Sequence, residues 1–283
     1  SKKVPKRWDG RRFATGEEVI RIYDELEIEK GVVLPIVSPE ARLVLQSNEE
    51  VIEICNHNQE RLIPFCNIDP RFLENSPDSP LQLLLFYYQE ECGCKGVGEM
   101  MANLPFNDPL VQNLLACCEL ARMPFLFHVS HTIGGRYGLY DEPGLPMLEK
   151  SLAAHPDLIF LGHSQAFWAE IGTLDDVASR GRYPDGPVTG PGRVVELMRA
   201  YPNLHGDLSA NSGFNAIHRD KEFGIQFLEE FQDRLYFGTD ICSPGAKVPL
   251  AEYLLDLRDS GLISSRAFQK IARENAMKLL EIE

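Results

Sequence analysis

Seven short apolar runs, rich in Val, Ile, Leu and Phe and bounded by Gly, Pro, Asn or Asp, recur along this sequence with helical spacing between them. They are 31–38 (GVVLPIVS), 62–69 (LIPFCNID), 95–100 (KGVGEM), 124–130 (PFLFHVS), 158–164 (LIFLGHS), 204–209 (LHGDLS) and 235–241 (LYFGTDI). Near-continuous apolar strands alternating with helices read as parallel strands buried on both faces, in an open doubly wound sheet or a closed barrel. Apolar spacing predicts helices over 16–28, 48–60, 80–92, 108–121, 144–154, 191–201, 220–232 and 265–281. That is eight helices for seven runs, and the first helix precedes the first run. A strand opening the βα repeat is therefore expected upstream of Ser1. With 283 residues, the chain suits one barrel-sized domain spanning its whole length.

Most runs start about 30 residues apart, but Leu158 and Leu204 are 46 apart. The excess lies in 181–192 (GRYPDGPVTGPG), whose Pro and Gly content forbids regular structure. This insertion leaves the strand that ends at His163, on the face where barrel active sites form, and reads equally well as a substrate lid or a passive loop.

Side chains at the C-terminal ends of barrel strands converge on one mouth, and four runs place an ionisable residue there: Glu99, His128, His163 and Asp240. The period of two sets their direction. Phe125 and Phe127 share one face of their strand and Leu126 and His128 the other, so the phenylalanines pack under helices while His128 faces the barrel axis. Asp240 shares a face with Tyr236 and Gly238, and Gly238 leaves space beneath the carboxylate. His163 aligns with Ile159 and Leu161, and Glu99 with Val97. Taken singly, each reads as an ordinary structural hydrogen-bonder or ion-pair partner. Together, two imidazoles and two carboxylates at one mouth suit a divalent ion of the zinc, manganese or iron kind. His131 is read as a loop residue, His57, His155 and His218 as surface residues, and His205 as lying at the wrong end of its strand.

The formal net charge of −14 disfavours nucleic acid or an anionic membrane as partner. The only basic cluster, Lys2, Lys3, Lys6, Arg7, Arg11 and Arg12, reads as a solvated arm without a binding role. Seven scattered cysteines without repeated CxxC spacing fit a reducing cytoplasm. No apolar run approaches a membrane span, no export signal is visible, and neither GxGxxG nor GxxxxGK[ST] follows a strand.

The ordered set FHVSH, GHS, FGTD and the closing ARENAMKLL resembles the amidohydrolase-related family of metal-dependent (β/α)8 TIM-barrel hydrolases, which includes decarboxylases of the aminocarboxymuconate-semialdehyde and resorcylate types. The resemblance covers nearly the whole chain and implies an α/β TIM barrel whose first strand is missing here. That strand carries an HxH metal pair in the family, and no HxH occurs in this sequence. Ten to twenty-five residues containing HxH are expected upstream, roughly the missing part of a βα repeat. The resemblance implies metal ligation by His128, Asp240 and Glu99, and a catalytic role for Asp240 and His163. Arg136, Tyr137, Trp168 and Arg219, with Asn211 and Lys247, lie on the mouth loops as candidate substrate contacts. The implied activity is hydrolysis of a small carboxylated, lactone or amide substrate by metal-activated water, with Asp240 accepting the proton. The same residues serve a decarboxylase, and a barrel that has lost its first ligands would be a non-catalytic binding protein. A small-molecule substrate is the expected partner, and a homodimer is the assembly the resemblance suggests.

Overall fold

The computed structural model describes residues 6–7, 10–40, 44–134, 136–174 and 176–282. Lys2 and Lys3 of the basic cluster lie outside these residues. Parallel strands form in every expected run: β1 (Gly31–Val33), β2 (Leu62–Pro64), β3 (Val97–Met100), β4 (Phe125–Ser130), β6 (Phe160–His163), β7 (Leu204–Asp207) and β8 (Leu235–Tyr236). A short β5 (Leu139–Tyr140) adds to the end of β4. The ladder runs β3-β4-β6-β7-β8, with β1 and β2 paired separately and joined to it by a bridge between Cys66 and Val97.

The expected helices appear as α1 (Gly16–Glu25), α2 (Asn48–Asn56), α3 (Leu81–Phe86), α4 (Pro109–Ala121), α5 (Pro146–Ala154), α7 (Arg193–Ala200) and α9 (Lys221–Glu230), and the 265–281 segment as α11 (Ser265–Gln269), a wider turn and α12 (Asn275–Leu280). Their starts follow local chemistry. Thr15 with Glu18, and Ser47 with Glu50, close capping boxes on α1 and α2, and Asp108 caps α4 ahead of Pro109. Three further helices were not anticipated: α6 (Gln165–Ala169), α8 (Ala210–His218) and α10 (Pro249–Asp259). The first two follow directly on β6 and β7, and α10 follows a loop of twelve residues after β8.

The alternation along β4 has the expected consequence. Phe125 and Phe127 are fully buried and meet Phe106, Phe160 and Phe167 edge-on, forming the layer between sheet and helices. Leu126 points the other way and packs with Leu161 and Tyr236 inside the curved sheet. This interior layer is small because the sheet is open on one side: among the described residues, β1 and β8 pair with no strand on their facing edges. The gap belongs to a cavity of about 1460 Å³, lined by Val32 and Leu34 on one side and Tyr236 and Gly238 on the other. The parallel sheet with its helices is the architecture of a TIM barrel. Among the described residues no helix is long and apolar enough to cross a membrane.

Candidate active site

Register brings the first two site residues together. His128 and His163 are direct partners across the β4–β6 ladder, with ring centroids 5.8 Å apart. Glu99 projects from β3 beside them, its Oε1 3.9 Å from His163 Nε2. Asp240, four residues beyond β8 and at φ +50°, stands at the exposed rim of the same cavity. Glu99, His128, His163 and Asp240 all line its wall.

His128 is fixed from one side by backbone and from another by an aromatic ring. Gly138, at φ +108°, lies so close that an added Cβ would sit 2.7 Å from His128 Nδ1, and the Tyr137 ring lies against it, tilted by 51°, at 4.3 Å between centroids. Ser164 turns the chain immediately after His163 at φ +114°, a region costly for a non-glycine residue. Its Oγ accepts from the N–H groups of Val129 and Phe167, offsetting that cost and tying β4, β6 and α6 into one corner.

A carboxylate not singled out in the sequence completes the group. Asp207, at the end of β7, places Oδ2 3.2 Å from His163 Nδ1. Ser209 donates its N–H to Oδ1 at 2.9 Å and its hydroxyl to Oδ2 at 2.8 Å. Asp207 met the criterion that found the others, an acid ending an inward-facing strand, and its face was readable from His205 two residues before.

The electrostatics follow from this arrangement. Burial alone would hold His163 neutral, but the hydrogen bond and charge of Asp207, with Glu99 and Asp240 behind them, raise its pKa to about 10. Burial works to raise Asp207, yet His163 and Ser209 hold it below the usual carboxylate range. Burial, Arg136 and Arg180 push His131 down. His131 lines the cavity and rests on Gly181, where a Cβ would meet its ring at 2.5 Å.

The mouth-loop residues divide. Arg136 and Tyr137 line the cavity. Trp168 does not: α6 carries it into the core against Phe167 and Phe227, and its indole N–H donates to the Asp207 carbonyl at 2.9 Å. Arg219 reaches away to Gly186 O at 3.4 Å, and Asn211 and Lys247 are also outside the lining. No residue of 181–192 lines the cavity, which favours the passive-loop reading of this insertion. It is pinned by a bridge between Gly172 and Pro191, by Val188 N–H on Asp220, and by buried Arg180, which pairs with Glu170 at 2.5 Å.

Two other expectations need correction, whereas His205 lies at the start of its strand as expected. Arg7 and Lys6 border the cavity, and Arg7 contacts the Cys242 sulfur, so this part of the basic arm is folded against the barrel. His155 is buried, its ring 3.1 Å from Glu119, because α5 ends over the neighbouring helix. His205 faces the interior below Asp207, and burial with nearby Arg234 lowers its pKa to about 4. It bonds the Tyr236 hydroxyl at 2.8 Å.

The donor types around this cavity, imidazole and carboxylate, are those of a divalent-cation centre. Among the described residues, however, no three His, Cys, Asp or Glu side chains are grouped closely enough to hold an ion by themselves.

The comparisons with known proteins agree with the architecture. No curated protein matches the sequence. Among solved structures, an uncharacterised TIM-barrel protein from Bordetella bronchiseptica is similar at 18% identity over 93% of this chain and 81% of that one, with TM-score 0.64. A probable 2-pyrone-4,6-dicarboxylic acid hydrolase from Acinetobacter baumannii is similar at 12% identity, covering 100% and 92%, with TM-score 0.60. A dihydroxybenzoic acid decarboxylase from Polaromonas sp. JS666, with manganese and 2-nitroresorcinol bound, is similar at 16% identity, covering 96% and 87%, with TM-score 0.55. The family model for amidohydrolases matches residues 37–282, and the chain belongs to the amidohydrolase family.

Proposed function

We propose that this chain is a metal-dependent hydrolase acting on a small carboxylated, lactone or amide substrate. The observation that carries the reading is the convergence of Glu99, His128, His163 and Asp207, from four strands, and Asp240, from the segment after β8, on one cavity. His128, Asp240 and Glu99 are the protein's own ligands in this reading. The further donors implied by the family resemblance are an HxH pair, which does not occur in this sequence. The ion, zinc by preference and manganese or iron otherwise, supplies Lewis acidity when bound.

The chain's own groups do the rest. His128 turns Nε2 to the cavity because Gly138 covers Nδ1. Asp240, at the exposed rim, takes the proton of the attacking water. His163 presents Nε2 to the substrate carbonyl oxygen. Arg136 and Tyr137 contact the remainder of the substrate. The seven free cysteines support a reducing, cytoplasmic setting.

The test is a panel of lactones, amides and carboxylated aromatics offered in ¹⁸O-water to full-length, metal-loaded protein. Incorporation of ¹⁸O into a carboxylic acid product supports the proposal. Release of CO2 without incorporation replaces it with a decarboxylase, a chemistry the same residues serve. Turnover of nothing by a protein that takes up no metal would make it a non-catalytic barrel.

A further inference from the structure

We propose that Asp207 is the positioning residue of His163: it holds a proton on Nδ1 and fixes the ring so that Nε2 alone faces the cavity. This rests on the reading of His163 as a group that acts there. The proposal stands on how completely the surroundings of Asp207 are committed to holding one geometry. Oδ1 accepts the Ser209 N–H at 2.9 Å, and Oδ2 accepts both the Ser209 hydroxyl at 2.8 Å and His163 Nδ1 at 3.2 Å. Trp168, from α6, fixes the backbone by donating its indole N–H to the Asp207 carbonyl at 2.9 Å. Gly238, on the neighbouring strand segment, leaves the room the carboxylate occupies, since a Cβ there would lie 2.9 Å from Oδ1. Three elements are thus shaped around one carboxylate that points at the back of His163.

A carboxylate behind an imidazole chooses which nitrogen carries the proton, and an amide in its place reverses the choice. In Asp207→Asn the fixed Ser209 N–H keeps the amide oxygen, so the NH2 group faces Nδ1. Nδ1 then loses its proton and becomes an acceptor. One proton then remains on the ring, on Nε2, pointing into the cavity.

The experiment is ¹⁵N-histidine NMR at pH 7 on the full-length protein stripped of metal by chelation, with the His163 resonances assigned by their loss in His163→Gln. In the wild type Nδ1 carries a proton. In Asp207→Asn Nδ1 shows the shift of a bare nitrogen, whereas His205 keeps its pattern. Should that variant not fold, Gly238→Ala gives the second reading, since it leaves both side chains present and displaces the carboxylate. It shifts the His163 Nδ1 resonance and leaves His57 unchanged.

A bare Nδ1 in the wild type, or an unchanged Nδ1 in Asp207→Asn, overturns the proposal. Cobalt(II) uptake separates positioning from ligation: Asp207→Asn retains the wild-type stoichiometry if Asp207 only positions, and its complete loss would make Asp207 a ligand. If neither protein takes up cobalt, the proposed metal chemistry fails while the NMR outcome still decides the role of Asp207.

Discussion

Gly138 lies against His128 so closely that a Cβ at position 138 would stand 2.7 Å from the imidazole Nδ1 and 2.6 Å from the His128 carbonyl oxygen. The same glycine adopts φ +108°, where an L side chain is strained. Gly138→Ala is therefore expected to destabilise the fold by about 1–3 kcal/mol and to push His128 out of line. Metal affinity, followed by cobalt(II) titration, falls by at least about tenfold. An alanine variant that binds cobalt like the wild type would show that the ring position of His128 is not set by this contact.

Arg180 and Glu170 form a buried ion pair that anchors the start of the 181–192 insertion, and Arg180 also donates to the Asp141 carbonyl. Arg180→Ala leaves the Glu170 carboxylate buried without its partner, and a loss of about 3–5 kcal/mol is expected in chemical denaturation. Limited proteolysis should cut the insertion faster in this variant. Because no residue of the insertion lines the cavity, metal stoichiometry should be unchanged.

Asp141 is fully buried and accepts backbone N–H groups from Glu142, Met147 and Leu148, anchoring the start of α5, which has no side-chain cap of its own. Burial outweighs these donors and Arg180, and raises its carboxyl to about 6 from a model-peptide value of 3.8. The sign follows: folding favours the protonated form, so this group's contribution is fully present below pH 3.8 and is lost as pH rises through about 6. Asp141→Asn should flatten that part of the stability–pH curve. Asp141→Ala should cost about 2–4 kcal/mol through its three lost hydrogen bonds. Urea titrations of the three proteins at several pH values check both.

The strand pattern was legible because each run is apolar on both faces and ends in polar punctuation. Phe125, Phe127 and His128 could be assigned to opposite faces from alternation alone. Asp207 was equally legible by that rule, since it ends its run on the face that His205 occupies two residues before. Trp168 was misplaced for a different reason. Ser164 bends the chain sharply at φ +114°, and the helix that follows is too short, five residues, to show a periodic pattern. Arg219 was misread because loop position says which face of a barrel a residue occupies but not whether it turns toward the axis. The α10 helix has readable spacing in Leu250, Leu254 and Leu257, all buried, and belongs with the elements that sequence could have supplied.

The gap between β1 and β8 has its own consequence. Tyr236, Leu126 and Leu161 form a small apolar layer facing it. Leu161→Asp places a carboxylate in this layer and is expected to abolish the cooperative thermal transition. Retention of a wild-type melting curve would mean that the layer stays open to water.

In the proposed function Glu99, His128 and Asp240 each contribute to one cation site beside His163, without completing it by themselves. The most direct test is elemental analysis of full-length protein and of its His128→Ala and Asp240→Ala variants after incubation with zinc or manganese and removal of free ion. A stoichiometric ion in the wild type, lost in both variants, is the predicted result. A wild type that retains no transition metal, or variants that retain as much as the wild type, would contradict it.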